Sequence, residues 1–130
     1  MKPILRLFSG PALAMLLGLA LTSPVLAHGS NKPQHGGVVT VVGETVLELV
    51  QNADGIQLFV VDEDEDVPSS AVTAKLTVSN GASSTEMVLQ PGPGNQHVGK
   101  GIKLAAGATV AVQLTDNKTR RQTSANFAIK

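Results

Sequence analysis

Apolar and polar residues alternate along much of the chain after residue 37. The clearest case is the segment 71–79, in which Val72, Ala74, Leu76 and Val78 share one parity and the intervening residues are Thr, Lys, Thr and Ser. Side chains on a β-strand point to opposite faces with a period of two. The segment is therefore predicted to be a strand with one face buried and one face in solvent.

Further β-rich runs, divided by turn residues, predict strands over 38–42, 45–51, 56–61, 85–90, 109–114 and 123–129. Gly43-Glu44 and Asn80-Gly81 have the composition of tight hairpins. The acidic run 62–66 predicts a long break, and 91–95 predicts a loop. Val98, Ile102 and Leu104 can share one face of another strand, provided that Gly99 and Gly101 introduce no bulge.

These segments add up to seven or eight short strands, and residues 28–130 show no sustained helical period. Short strands with frequent turns favour an all-β fold, a two-sheet antiparallel β-sandwich of the immunoglobulin-like type over residues 38–130, with an open barrel as the second choice. Phe59 and Phe127 are the aromatic candidates for its core.

Residues 1–27 have the three zones of a secretory signal peptide. Lys2 and Arg6 precede an apolar run over 12–21, which is about half the length of a membrane span. Val25 and Ala27 place the predicted cleavage before His28. We therefore expect a soluble, periplasmic protein without a stable membrane anchor, preceded by a flexible lead-in over 28–37; a retained N-terminal anchor is the alternative.

Composition disfavours several classes of function. The chain has no Cys, which removes thiolate metal sites and Cys nucleophiles, and its ten basic and ten acidic residues give no field that would attract nucleic acid. It also lacks the G-x-S-x-G and H-E-x-x-H motifs and a phosphate-binding glycine loop. We expect neither an enzyme nor a protein with an organic cofactor.

Histidine residues are the main candidates for metal ligands. After the predicted cleavage, His28 carries both an α-amino group and an imidazole, a nitrogen pair that suits Cu(II). His35 lies seven residues further on, in a Gly-rich stretch that can fold back to offer a third nitrogen. The alternative is that both are solvated side chains of a disordered N-terminus.

Two other positions each allow a structural interpretation. Glu48 shares a strand face with Val46 and Val50, where a buried carboxylate would need a metal, a Lys or a His as partner. The simpler interpretation is that this face is the solvent side of the sheet. His97 follows a Pro/Gly loop and is interpreted as decorating a strand end.

Several short motifs resemble a family of periplasmic proteins. They are His35-Gly36-Gly37-Val38-Val39, the Glu48-Leu49-Val50 strand and the Leu58-Phe59-Val60-Val61-Asp62 strand, behind an export signal ending in Ala27. In this combination the chain is similar to small periplasmic His-Gly-Gly proteins and modules associated with heavy-metal efflux systems of proteobacteria, although Phe59 stands where that group usually has Tyr. The resemblance implies a metal-related role in the envelope. The predicted His28 terminus also resembles that of small copper-carrying periplasmic β-sandwich proteins.

Two hypotheses follow for function. In the first, the protein is an exported accessory that binds Cu(II) or Zn(II) through His28, His35 and Glu48, as a carrier, a buffer or a partner of a metal-efflux adaptor or another envelope protein. In the second, it is a structural or protein-interaction module of the cell envelope, in which an exposed sheet edge or Val-bearing face docks a partner without metal.

Overall fold

The computed structural model describes residues 31–130, so the predicted signal peptide, the cleavage site and His28 lie outside the described residues. The described part is all β, as predicted. Its strands are β1 (Val38–Val42), β2 (Thr45–Asn52), β3 (Gly55–Asp62), β4 (Glu65–Asp66), β5 (Val72–Asn80), β6 (Ser83–Val88), β7 (Gln90–Pro91), β8 (Gln96–Lys100), β9 (Thr109–Asp116) and β10 (Gln122–Ala128). No helix that could cross a membrane occurs within this range.

The strands form two antiparallel sheets. The first has the order β1-β2-β3-β8-β7, with the short β4 also paired to β3, and the second has the order β10-β9-β5-β6. With β2-β3-β8-β7 taken as A-B-E-D and β10-β9-β5-β6 as G-F-C-C′, this is the strand order of an immunoglobulin-like sandwich, with β1 added at one edge. The predicted β-sandwich is therefore confirmed.

The core lies between the two sheets and is built from aliphatic side chains of alternating positions. In β5, Ala74 and Leu76 are fully buried, as the alternation predicted. Phe127 is buried in the same core. The remaining core side chains from the strands are Leu47, Leu49, Ile56, Leu58, Val60, Val110, Val112, Leu114 and Ala125. Every second residue of each central strand thus packs inward, which leaves the alternate residues of β2 and β3 on the outer face.

The acidic run is a tight turn rather than a long break. Residues 65–66 pair directly with residues 61–62, so only Glu63 and Asp64 connect β3 to β4. Both of these residues have positive φ, 49° and 64°, as the type I′ turn of a two-residue hairpin requires. The acidic composition hid the hairpin, because the Gly that usually marks such a turn is absent.

The strand predicted to include Val98, Ile102 and Leu104 is shorter than expected. It ends at Lys100, and Gly101 turns the chain with a φ of 72°. Ile102 and Leu104 still pack against the core, but from an irregular segment. Pro91 also differs from its predicted loop assignment, because it pairs with His97 in the two-residue strand β7.

One side of the sandwich is joined across the sheets. β1 is the edge of the first sheet and β10 the edge of the second. The Thr40 hydroxyl donates a hydrogen bond of 3.0 Å to the backbone carbonyl of Asn126, 86 residues further along the chain. This contact brings β1 beside β10 and fixes the strand to which the lead-in is attached.

Candidate functional site

Glu48 lies on the outer face of the first sheet but is buried, with 5% of its surface exposed. The adjacent residues Leu47 and Leu49 point into the core, so the Glu48 side chain points away from the core. The interpretation of this face as the solvent side is therefore wrong at Glu48. The segment that precedes β1 folds back over the face and covers the carboxylate.

The covering segment supplies four hydrogen-bond donors to this one carboxylate. Glu48 Oε1 accepts from the backbone amides of His35 (2.8 Å) and Gly37 (3.0 Å). Glu48 Oε2 accepts from the amide of Gln34 (3.0 Å) and from Nδ1 of the His35 ring (2.9 Å). Residues 34–37 were predicted as part of a flexible lead-in, and they form no strand, but these bonds anchor them to β2. We call residues 34–37 with Glu48 the latch.

The two glycines of the latch serve different steric purposes. Gly36 has a φ of 76°, a left-handed conformation that other residues adopt at a cost, but there is open space beside it. Gly37 has no such φ; instead, a Cβ at this position would collide with the backbone carbonyl of Leu49. The first glycine turns the chain, and the second allows the chain to lie directly on β2.

The His35 ring also contacts an aromatic neighbour. Its plane is nearly parallel to that of Phe59, with an interplanar angle of 4° and ring centroids 3.6 Å apart. Phe59 and Glu48 are directly paired across β3 and β2, so both stand on the same outer face. Phe59 was predicted as a core residue; it is buried, but beneath the latch rather than between the sheets.

The charge on Glu48 follows from its surroundings. Burial by itself would raise the pKa of this carboxyl, but the hydrogen bonds from the His35 side chain and from the amides of Gly37, His35 and Gln34 together lower the pKa below its usual 4.5. The group is therefore ionised at neutral pH and can accept hydrogen bonds but not donate them. His35 Nδ1 must then carry the hydrogen, which makes Nε2 the lone-pair nitrogen of the neutral ring.

A cleft of about 330 Å³ adjoins the latch. Its lining includes His35, Glu48 and Phe59, and also Asp64 and Asp66 from the acidic hairpin. Within residues 31–130, however, no three His, Asp or Glu side chains are grouped so that they could hold a metal ion. Of the predicted ligands, the fold brings His35 and Glu48 together, and His28 lies outside the described residues.

His97 has a different environment from the one predicted. It is 1% exposed, and it pairs with Leu58 on the core side of β8 instead of decorating a strand end. Neither of its ring nitrogens has a hydrogen-bond partner among the described residues. Burial lowers the pKa of His97 below 6.5, so the ring is neutral. It is a buried polar side chain next to an apolar core.

The roles of Gln34 and Phe59 at the latch were not predicted from the sequence. Gln34 contributes through its backbone amide, which carries no side-chain signal. Phe59 could have been placed by parity, because it alternates with the core residues Leu58 and Val60. No protein-family model, curated protein or solved structure matches this chain, and the family resemblance therefore remains a prediction.

Proposed function

We propose that this protein is an exported accessory protein that binds Cu(II) or Zn(II) in the cell envelope, as a carrier, a buffer or a partner of an efflux system. The folded domain supplies Nε2 of His35 as a metal ligand. The observation that carries the proposal is the 2.9 Å hydrogen bond between His35 Nδ1 and the ionised Glu48.

This hydrogen bond matches the way in which proteins prepare histidine for metal. A metal-binding imidazole almost always donates its second ring N–H to a carboxylate, a carbonyl or water, and this bond fixes the tautomer and increases the basicity of the free nitrogen. His35 meets this condition, and 44% of its side chain is exposed. A copper or zinc ion can therefore approach Nε2 without unfolding the latch.

Glu48 has a different role from the one that the sequence suggested. Each of its oxygens already accepts two hydrogen bonds, which fills about four acceptor sites of a carboxylate. We therefore assign Glu48 the orientation of His35, and we expect the remaining ligands to be the imidazole and α-amino nitrogens of His28. His35 is seven positions after His28. The chain between them spans at most about 25 Å, so it can fold back on itself.

The test is a titration of the exported protein with Cu(II) and Zn(II), followed by calorimetry and by NMR of the His35 ring. Intact mass first establishes whether His28 is the terminal residue. We expect one metal per chain and a loss of affinity of at least tenfold in His35→Ala and in His28→Ala. The paired substitution of Asp64→Asn and Asp66→Asn is the control, and it should leave affinity within about threefold.

The interaction-module hypothesis makes the opposite prediction. It would use exposed valines such as Val38, Val41 and Val88, and it requires no metal. Equal heats for the wild type and the His28/His35 double Ala variant, with no change at the His35 ring, would therefore reject the metal proposal.

A further inference from the structure

The stack of His35 on Phe59 has an unusual geometry for two neutral rings. Carbon atoms in contact lie about 3.5 Å apart. With parallel planes and a centroid distance of 3.6 Å, nearly all of this distance is therefore vertical separation and little is lateral offset. Two neutral aromatic rings avoid this face-to-face arrangement because their quadrupoles repel, and they prefer offset or edge-to-face contacts.

The same geometry favours a ring that carries positive charge. A cation over the face of an aromatic ring is attracted by the negative quadrupole of that face. An imidazole acquires positive charge when its nitrogen coordinates a divalent metal ion. The stack is thus better suited to a positively charged His35 ring, with either a metal ion or a proton on Nε2, than to the neutral ring.

Three contacts fix the ring in place. The backbone amide of His35 bonds to Glu48 Oε1, Nδ1 bonds to Glu48 Oε2, and Phe59 holds the ring plane. Because Glu48 and Phe59 are paired residues of adjacent strands, their spacing is set by the sheet and not by a flexible loop. The position of Nε2 is therefore determined by two rigid neighbours.

We propose that Phe59 is a positioning residue for metal binding at His35: it fixes the plane of the imidazole, and the face of its ring stabilises the charge that the imidazole gains when Nε2 binds Cu(II) or Zn(II). This inference rests on the function proposed above. It goes further by naming a residue that cannot itself be a ligand and by assigning an electrostatic role to its ring.

The decisive experiment changes the quadrupole of residue 59 while keeping its shape. Site-specific replacement of Phe59 by mono-, di- and trifluorinated phenylalanine reduces the negative charge of the ring face in steps. We expect Zn(II) and Cu(II) affinity to fall in the same order. Phe59→Leu, which has no ring, should lower affinity by about three- to thirtyfold, and Phe59→Tyr should retain it.

Amide hydrogen exchange at residues 34, 35 and 37 serves as the control for the latch. Unchanged protection in the fluorinated proteins would show that affinity was not lost through undocking. If the wild type binds metal and the fluorinated series binds equally well, Phe59 is a steric support and the inference is wrong, while the proposed function stands. If the wild type itself binds no metal at His35, the proposed function fails, and the inference fails with it.

Discussion

Gly37 lies so close to Leu49 that a Cβ on residue 37 would collide with the backbone carbonyl of residue 49. The obstacle is the backbone of β2, which is paired with β1 and β3, so it cannot move aside as a flexible side chain would. The second glycine of the His-Gly-Gly segment is therefore a requirement for docking the latch on β2. The first glycine is required for a different reason, its positive φ.

The first prediction follows from this difference. Gly37→Ala should displace the latch, so that the amides of residues 34, 35 and 37 lose their hydrogen-exchange protection while the core amides of β3 and β9 keep theirs. Gly36→Ala is the matched control; it should cost roughly 1–2 kcal/mol of latch stability through its left-handed φ, without a collision. Equal protection in Gly37→Ala and the wild type would contradict the proposed steric requirement.

The second prediction concerns the carboxylate. Glu48→Gln keeps the shape of the side chain but replaces one acceptor oxygen by a donor NH₂, which opposes two of the latch donors. We expect the free energy of unfolding to fall by about 1–3 kcal/mol and the proton of neutral His35 to move from Nδ1 toward Nε2. Denaturant unfolding and ¹⁵N NMR of the ring measure the two effects.

Glu86→Gln provides the control for this change. Glu86 forms an exposed ion pair with Lys75 at 2.8 Å, and such pairs contribute about 0–1 kcal/mol. An equal loss of stability in the two variants would show that Glu48 is an ordinary surface charge, contrary to the hydrogen bonds that it accepts in the structure.

The third prediction is the acid response of the latch. Because the pKa of folded Glu48 lies below its value of 4.5 in the unfolded chain, the folded state binds fewer protons. The stability contributed by Glu48 is then fully present above pH 4.5 and is lost as the pH falls through the folded pKa. Carboxyl ¹³C NMR at Glu48 measures that pKa, and a value at or above 4.5 would contradict the prediction.

Metal binding should respond to acid separately from latch closure. A protonated His35 can still donate Nδ1–H to Glu48, but its Nε2 no longer has a lone pair for a metal. Protons should therefore compete with the metal ion for Nε2, so that a metal titration repeated at lower pH gives a weaker affinity.

The fourth prediction concerns the core. His97→Leu removes two buried ring nitrogens that have no partner among the described residues, and it should raise the free energy of unfolding by about 1 kcal/mol at pH 8. The gain should increase at lower pH. The pKa of folded His97 lies below 6.5, so the wild type loses stability as the pH falls below 6.5, whereas the variant lacks this loss. Urea unfolding at pH 8 and pH 5 tests both points, and a destabilised variant would indicate a hydrogen-bonded role for this ring.

The periodicity of the sequence was sufficient for the sandwich because most strands alternate cleanly. The inward residues Ala74 and Leu76 and the buried Phe127 could all be predicted in this way. The hairpin at Glu63 and Asp64 could not, because two acidic residues at positive φ carry no glycine signal. The burial of His97 was missed because the preceding Pro/Gly loop suggested an exposed strand end, whereas the side that it faces is decided by pairing with Leu58, a residue 39 places earlier.

The candidate site was harder to predict than the fold. Sequence analysis identified His35 and Glu48 individually and named His as one possible partner of a buried carboxylate. It could not show that the lead-in returns to the outer face of β2, since three of the four donors are backbone amides, which carry no side-chain signal. Parity could have placed Phe59 on the outer face of β3, but its stacking partner His35 lies 24 residues away in the sequence.

The hydrogen bond between Thr40 and Asn126 makes the two edges of the sandwich unequal. It brings β1 and β10 together, so that neither presents a fully open row of backbone groups, whereas β6 stands at the opposite edge of its sheet. An open edge invites strands of other chains. β6 counters this with Ser83, Ser84, Thr85 and Glu86, which are hydrophilic and exposed. Two features thus protect the sandwich from aggregation: the contact between β1 and β10 on one side, and the polar side chains of β6 on the other.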